Sequence, residues 1–219
     1  ERIYHKQICS LVESGYAILY YTRSKHKIDL STSSVTHKNY SPKISVNSFI
    51  KRVDLNLRKL DYISAIQIHE TALLPLLKKN KSRLPHIKTI YDVHENMEAL
   101  YRTFSKRIKP LKEILIYLRK YQESLYLKYV DQIILANVPM SNQPYSGSGV
   151  PIKIIENFPE KKYLNTTSGR KKKTRSIVYH GHLGPERGIK DLVEAMEHIK
   201  TIQPDITLSL IGSFRTKNF

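Results

Sequence analysis

"YISAIQIHETALLPLLKKNKSRLPHIKTIYDVHE", residues 62–95, decides the fold. Its first nine residues read as a strand, "TALLPLLKK" (71–79) as a short helix and "IKTIYDVHE" (87–95) as a second strand. Two near-continuous apolar strands joined by a helical crossover predict parallel neighbours, because parallel pairing needs the crossover and buries both faces. Both strands then close on polar groups, Ile68-His69-Glu70 and Asp92-Val93-His94-Glu95. Two carboxylates and an imidazole at the end of a buried strand ask for an explanation.

The alternation continues outward. Upstream, Tyr4, Ile8, Leu11 and Val12 repeat at helical spacing and Ser14-Gly15 supplies a C-cap. "YAILYY" (16–21) reads as a short strand, residues 23–45 as mostly loop with a turn near Ser41-Pro42, and "SFIKRVDLNLRKL" (48–60) as a helix. Downstream, Pro110 opens a long amphipathic helix running to about Tyr129. Its apolar residues Leu111, Ile114, Leu115, Leu118, Leu125 and Tyr129 are expected to pack on the sheet. "DQIILAN" (131–137) and "IKIIENF" (152–158) read as strands. "EKKYLNTTSGRKKKTR" (160–175) has no periodicity and a dense basic run, the mark of a linker. Then come a strand and turn, "SIVYHGHLG" (176–184), a helix from Pro185 with the stripe Ile189, Leu192, Val193, Met196 and Ile199, and the strand "ITLSLIGS" (206–213).

The expected class is α/β: a Rossmann-like parallel sheet with helices on both faces. Residues 1–160 are expected to form a first Rossmann-like unit without its opening strand, 161–174 a basic linker, and 175–219 the beginning of a second unit. One strand-helix-strand cannot bury a core, so the sequence reads as a fragment.

Composition narrows the partners. The 219 residues are 40% hydrophobic and 26% charged, which is globular, and no apolar run approaches a bilayer span. No secretion signal is visible, and the single cysteine, Cys9, forms no internal disulfide, which fits a reducing, cytoplasmic compartment. The formal net charge of +18 favours a polyanionic partner: nucleic acid, an anionic membrane face or phosphorylated substrates. Solvated surface lysines give the same number. No Cys-x-x-Cys or His-Glu-x-x-His is present, and no Gly-x-Ser-x-Gly, Asp-x-Asp, Walker loop or Gly-x-Gly-x-x-Gly. Neither a metal nor a cofactor is expected.

Ligands of open parallel sheets bind outside the carboxyl ends of the strands. His69-Glu70, Asp92 to Glu95 and His180-Gly181-His182 all fall at that edge. Singly, each reads equally well as a helix cap or a turn. The turn "HGHLGPERGIKDL" (180–192) says more: Gly181 and Gly184 permit close backbone approach, a helix is expected to start near Pro185-Glu186, and Arg187 adds a forked cation. Free N–H groups at a helix start make an anion site.

The succession "ERIYHKQICSLVESGY", "IQIHE", "IYDVHE", "DQIILAN", "IIENFP" and "IVYHGHLGPERGIKDLVEAM…LSLIG" resembles the family 4 glycosyltransferases, retaining enzymes of the GT-B class with two Rossmann-like domains facing a cleft. The resemblance runs over nearly the whole chain through order and spacing. It implies an acceptor-binding first domain and a nucleotide-sugar-binding second domain. His94 matches the histidine at the acceptor edge of the cleft, with His69 a weaker match and Asp92 and Glu95 beside the substrate. Gly181 and Arg187-Gly188 match the donor-diphosphate positions, with His182 where an arginine is usual. The glycine-rich loop after the first strand and the paired-glutamate motif have no counterpart between Glu1 and Phe219. The full-length parent is therefore expected to be a retaining hexosyl-type transferase, and this piece to be inactive.

The implied partners are a nucleotide-sugar and a glycan or lipid-linked acceptor in cell-surface polysaccharide synthesis. The implied place is the cytoplasm, peripheral at the inner face of the plasma membrane, where the cations of the long helix would meet anionic lipid. Two alternatives stand beside it. A GT-B-type nucleotide-sugar epimerase would exchange protons through Asp92 and Glu95. A nucleic-acid-binding domain rests on charge alone, without a recognition helix or an aromatic platform, so no specific nucleic acid is expected.

Overall fold

Every strand pair among the described residues is parallel, as the crossover pattern predicts. The computed structural model describes residues 2–25, 30–94, 97–105, 107–136, 145, 147–158 and 175–214. The expected linker 161–174 and the expected site residue Glu95 lie outside them. The chain divides into two units, Glu1–Phe158 and Pro159–Phe219.

In the first unit a wide helical stretch, Arg2–Ile8, runs into α1 (Cys9–Glu13). It is followed by β1 (Ile18–Arg23), β2 (Val35–Tyr40), α2 (Val46–Leu57), β3 (Ala65–Ile68), a 3-10 turn Thr71–Leu73, α3 (Leu74–Arg83) and β4 (Lys88–Val93). Then come α4 (Met97–Phe104), α5 (Lys109–Leu127), β5 (Gln132–Leu135) and β6 (Ile152–Ile154). The order β3-β4-β5-β6 makes one four-stranded sheet, and β1 and β2 pair separately. The architecture is α/β with a Rossmann-like parallel sheet. Three boundaries have local causes. Ser45 Oγ accepts from the Ser48 N–H at 3.1 Å and caps α2. Pro75 near the start of α3 and Pro110 near that of α5 lack the N–H that a first turn leaves unpaired anyway.

The core gathers around β4 and β5, which are buried on both faces: Tyr91, Asp92 and Val93, then Ile133, Ile134 and Leu135. Against it lie Phe49, Val53 and Leu57 of α2, and Leu74 and Leu77 of α3. Asp131 ties the base of the sheet. Lys81 Nζ donates to both its oxygens at 2.9 and 2.8 Å, and Thr89 donates through its backbone N–H at 2.8 Å and its hydroxyl at 2.9 Å. Burial pushes this carboxyl up, but those bonds and the Lys81 charge outweigh it and hold it below the usual range.

Two expectations are corrected in this unit, for residues 35–40 and for the stripe of α5, and one helix is added that the sequence reading left unassigned. Residues 35–40, expected as loop, form β2, which pairs along its length with β1 from Ile18↔Val35 to Arg23↔Tyr40. The polar side chains of "VTHKNY" hid it, yet Val35 is buried and His37 and Asn39 bond Thr22 across the pair at 2.8 and 2.9 Å. Residues 97–104 form the separate short helix α4. The apolar stripe expected to seat α5 on the sheet faces solvent instead: Leu111, Ile114, Leu118 and Leu125 are exposed, and Ile116 and Leu127 are buried. Among the described residues no helix is long and apolar enough to cross a membrane.

The second unit pairs β7 (Ser176–His180) with β8 (Thr207–Ile211) around α6 (Ile189–Ile202). Ile189 and Met196 of α6 are buried, while Val193 of the expected stripe is exposed. The helix starts later than expected. Pro185–Arg187 is a 3-10 turn, and Gly188, at φ 63° in the left-handed region, separates it from α6. At the sheet edge a Cβ on Gly212 would overlap the Gly181 carbonyl, so the two backbones meet where only glycine fits.

Candidate functional site

Side chains alternate across a strand, and the parallel register of β3 and β4 decides which of them share a face. Ile68 pairs with Tyr91, so His69 follows level with Asp92. Gln67, His69, Asp92 and His94 therefore project to one face, and Ile66, Ile68, Tyr91 and Val93 to the other. The apolar set joins the core under α2 and α3. The polar set meets Gln7 from the N-terminal helical stretch.

Asp92 is fully buried, a costly place for a carboxylate without partners. It has them. Gln7 Nε2 donates to Oδ2 at 2.6 Å and Gln67 Nε2 at 3.3 Å, while His69 Nδ1 and His94 Nε2 each stand 3.4 Å from the same oxygen. Gln67 also donates to Gln7 Oε1 at 3.1 Å, which fixes both amides. Burial pushes the Asp92 carboxyl up. The bonds from His69, His94 and Gln7, with the His94 charge, outweigh that and hold it well below the usual carboxylate range.

The two imidazoles meet directly, His69 Nδ1 to His94 Nε2 at 2.7 Å, with ring centroids 4.9 Å apart. One nitrogen must donate and the other accept, so the facing pair holds a single proton. Both rings keep about a quarter of their surface open, at 22% and 26%.

His69, Asp92 and His94 are, among the described residues, the one group of His, Cys, Asp or Glu spaced to hold a metal ion. Tetrahedral zinc with bonds of about 2.0–2.1 Å sets its ligand atoms about 3.3 Å apart. The two carboxylate edges match at 3.4 Å, whereas the 2.7 Å His69–His94 edge is a hydrogen bond. Coordination would need the rings to part by about 0.6 Å. As it stands, the cluster holds a proton.

The histidines open onto a cavity of about 780 Å³ at the carboxyl end of the sheet. Its far wall is a network the sequence did not reveal. Tyr91 and Tyr145 both donate to Glu123 Oε1, at 3.0 and 2.7 Å. The Tyr91 hydroxyl thereby spends its proton and accepts from Thr71 Oγ1 at 2.7 Å. Burial pushes the Glu123 carboxyl up against the pull of the two phenols and Lys120, and burial beside Glu123 also raises both tyrosines. Lys120 pairs with Glu98 at 2.6 Å, and the Arg119 guanidinium lies 5.0 Å from the Tyr101 ring centre. The cavity thus joins aromatic faces to fixed donors and acceptors.

Of the expected residues, the structure unites His69, Asp92 and His94. Asp92 cannot itself reach a substrate; it positions the two rings. Gly181, His182, Arg187 and Gly188 follow β7 in the second unit. His182 is exposed there, and its carbonyl accepts from the Tyr179 hydroxyl at 2.8 Å. Arg187 is exposed on the 3-10 turn, its N–H bonded to the Gly184 carbonyl at 3.0 Å. Gly188 caps α6 without a side chain. Sequence reasoning missed Gln7, Gln67, Tyr91, Glu123 and Tyr145. Only Gln67 and Tyr91 carried a signal, through their places on the two strands that bear the histidines.

Neither a protein-family model nor a curated protein matches the chain.

Proposed function

We propose that this chain belongs to a retaining glycosyltransferase, supplying its acceptor-binding unit and the start of its nucleotide-sugar-binding unit. The observation that carries the reading is the His69–His94 pair on buried Asp92, set at the carboxyl ends of adjacent parallel strands and opening on the cavity. A sugar acceptor presents hydroxyls that donate and accept, on a ring whose C–H faces suit aromatic side chains. A proton-sharing imidazole pair can answer either polarity. Tyr91, Tyr101, Tyr126 and Tyr145 line the remainder. His94 touches the reacting hydroxyl in this reading, and Asp92 holds the pair in place through an ionised carboxylate.

On the donor side, departure of a nucleoside diphosphate puts growing negative charge on phosphate. Arg187 and the uncapped N–H groups of α6 after Gly188 would receive it. The Asp191 carboxylate lies beside Gly188, which makes the Arg187 charge the more necessary. One fixed donor of this kind contributes about 3 kcal/mol, or about a hundredfold. No metal has a part in this account. The acceptor is a glycan or lipid-linked saccharide of a cell-surface polysaccharide, met in the cytoplasm. An epimerase would need Asp92 to exchange protons with substrate, and its full burial weighs against that.

The test is amide hydrogen exchange with and without UDP, GDP or ADP. At least one should slow exchange across 181–190, and Arg187→Ala should remove that protection. No protection by any of the three would overturn the donor assignment.

A further inference from the structure

His69 Nδ1, Asp92 Oδ2 and His94 Nε2 form a triangle with one side held short by a proton. Two sides measure 3.4 Å, the spacing a tetrahedral ion sets, and the His69–His94 side measures 2.7 Å. Without that proton, two ring lone pairs face each other beside a carboxylate, and they repel until a cation comes between them. Two imidazole nitrogens and a carboxylate oxygen are donors that borderline divalent ions favour, zinc foremost. Calcium and magnesium prefer an all-oxygen shell.

The movement needed is small. Opening the short side to about 3.3 Å parts the rings by about 0.6 Å, or about 0.3 Å each. Thermal displacement in a well-ordered protein is about 0.5 Å along each axis. Both rings have room for it, being 22% and 26% exposed and facing the cavity. The carboxylate, by contrast, is held. Gln7 Nε2 takes one lone pair of Oδ2 at 2.6 Å, and Gln67 braces Gln7 at 3.1 Å. The oxygen keeps a second lone pair for the side of the rings. Outer hydrogen bonds of this kind orient a ligand and set how tightly a metal is bound. Asp92 is also fully buried, so water screens its attraction for a cation poorly. The parallel register fixes the backbones: His69 stands level with Asp92 on the neighbouring strand, and His94 follows two residues on, on the same face.

We propose that His69, Asp92 and His94 bind one zinc ion through Nδ1, Oδ2 and Nε2, with a water from the cavity as fourth ligand. On binding, the shared proton leaves the contact for the far nitrogen of its ring or for water. Structural zinc sites close all four positions with protein, so the open one makes this ion exchangeable. On the sugar-transfer reading, zinc and the acceptor hydroxyl compete for the same two nitrogens, and the ion switches the acceptor side off. That clause rests on the reading; zinc binding itself stands on the triangle alone.

The experiment is calorimetric titration of zinc chloride into the full 219-residue chain, stripped by chelator and carrying no histidine tag. Wild type should take up one equivalent. His94→Ala should weaken uptake by about a hundredfold or more, since losing an outer partner alone costs about tenfold to a hundredfold. Gln7→Ala should weaken it about tenfold by loosening Asp92. With cobalt(II) as the spectroscopic probe, wild type should develop the visible bands of a four-coordinate ion, and His69→Ala should abolish them. Circular dichroism of each metal-free variant checks its fold; should one histidine variant unfold, the other carries the test. No zinc uptake by wild type would overturn the proposal. Equal uptake by the folded histidine variants would overturn it too, and assign the ion to surface histidines. Zinc uptake that leaves saccharide binding unchanged would overturn the competition and keep the site.

Discussion

Replacing Asp92 by Asn keeps the size of the side chain and removes its charge, which makes it the sharpest probe of the site. Gln7 at 2.6 Å and Gln67 at 3.3 Å donate to Oδ2, and the single proton of the His69–His94 pair lies between two nitrogens that each stand 3.4 Å from that oxygen. An amide cannot accept from all of them, and its own NH2 would face donors. Hydrogen bonds to a buried charged group are worth about 1.5–3 kcal/mol each, part of which is returned when the desolvated charge disappears. The net loss should be about 2–4 kcal/mol at pH 7. With a urea slope of about 2 kcal/mol per molar, the midpoint should fall by about 1–2 M. The chain has no tryptophan, so far-UV circular dichroism is the suitable probe.

The pH dependence carries the sign. The folded Asp92 carboxyl is held below its unfolded value of about 3.9. Its contribution is therefore complete above that value and is lost as pH falls from about 4 toward the folded value. Asp131 is lowered as well and adds its own acid loss, so the informative quantity is the difference between wild type and variant. Wild type should lose more stability than Asp92→Asn between about pH 5 and pH 3. Equal urea midpoints at pH 7 together with equal acid slopes would refute the account of the cluster.

Two further substitutions examine the scaffold. Leu77→Ala removes a side chain with 0% exposure from the interface of α3 with the sheet, and should cost about 2–5 kcal/mol in the same urea titration. Gly188→Ala forces a Cβ into the left-handed region at φ 63° and should cost about 1–2 kcal/mol in the second unit, read as faster amide exchange along α6.

Much of the fold was legible because parallel strands write themselves as apolar runs. "AIQI" and "TIYDV" were recognisable as strands, and their parallel pairing followed from the α3 crossover between them. The edge strand β2 was not, since an edge strand need bury little and "VTHKNY" looks like loop. Periodicity also misled at α5, which carries two apolar faces. Spacing alone cannot say which of Ile114 and Ile116 turns inward; only packing decides. At the helix of the second unit, Pro185 marked a turn, and Gly188 delayed the helix proper by its left-handed backbone.

The candidate site divides in the same way. His69, Asp92 and His94 could be grouped from sequence because strand ends fall on one edge. Gln7, 85 residues from Asp92, and Glu123, 32 from Tyr91, were brought in by tertiary packing that no local pattern encodes.

The central claim is that the His69–His94 pair receives a sugar hydroxyl. The most direct measurement is a glycan array probed with the labelled chain and with His69→Ala/His94→Ala, folding of both first verified by circular dichroism. The account predicts that the wild-type chain binds a restricted set of saccharides and that the double variant binds them at least tenfold more weakly. No saccharide bound, or equal binding by the variant, would contradict it.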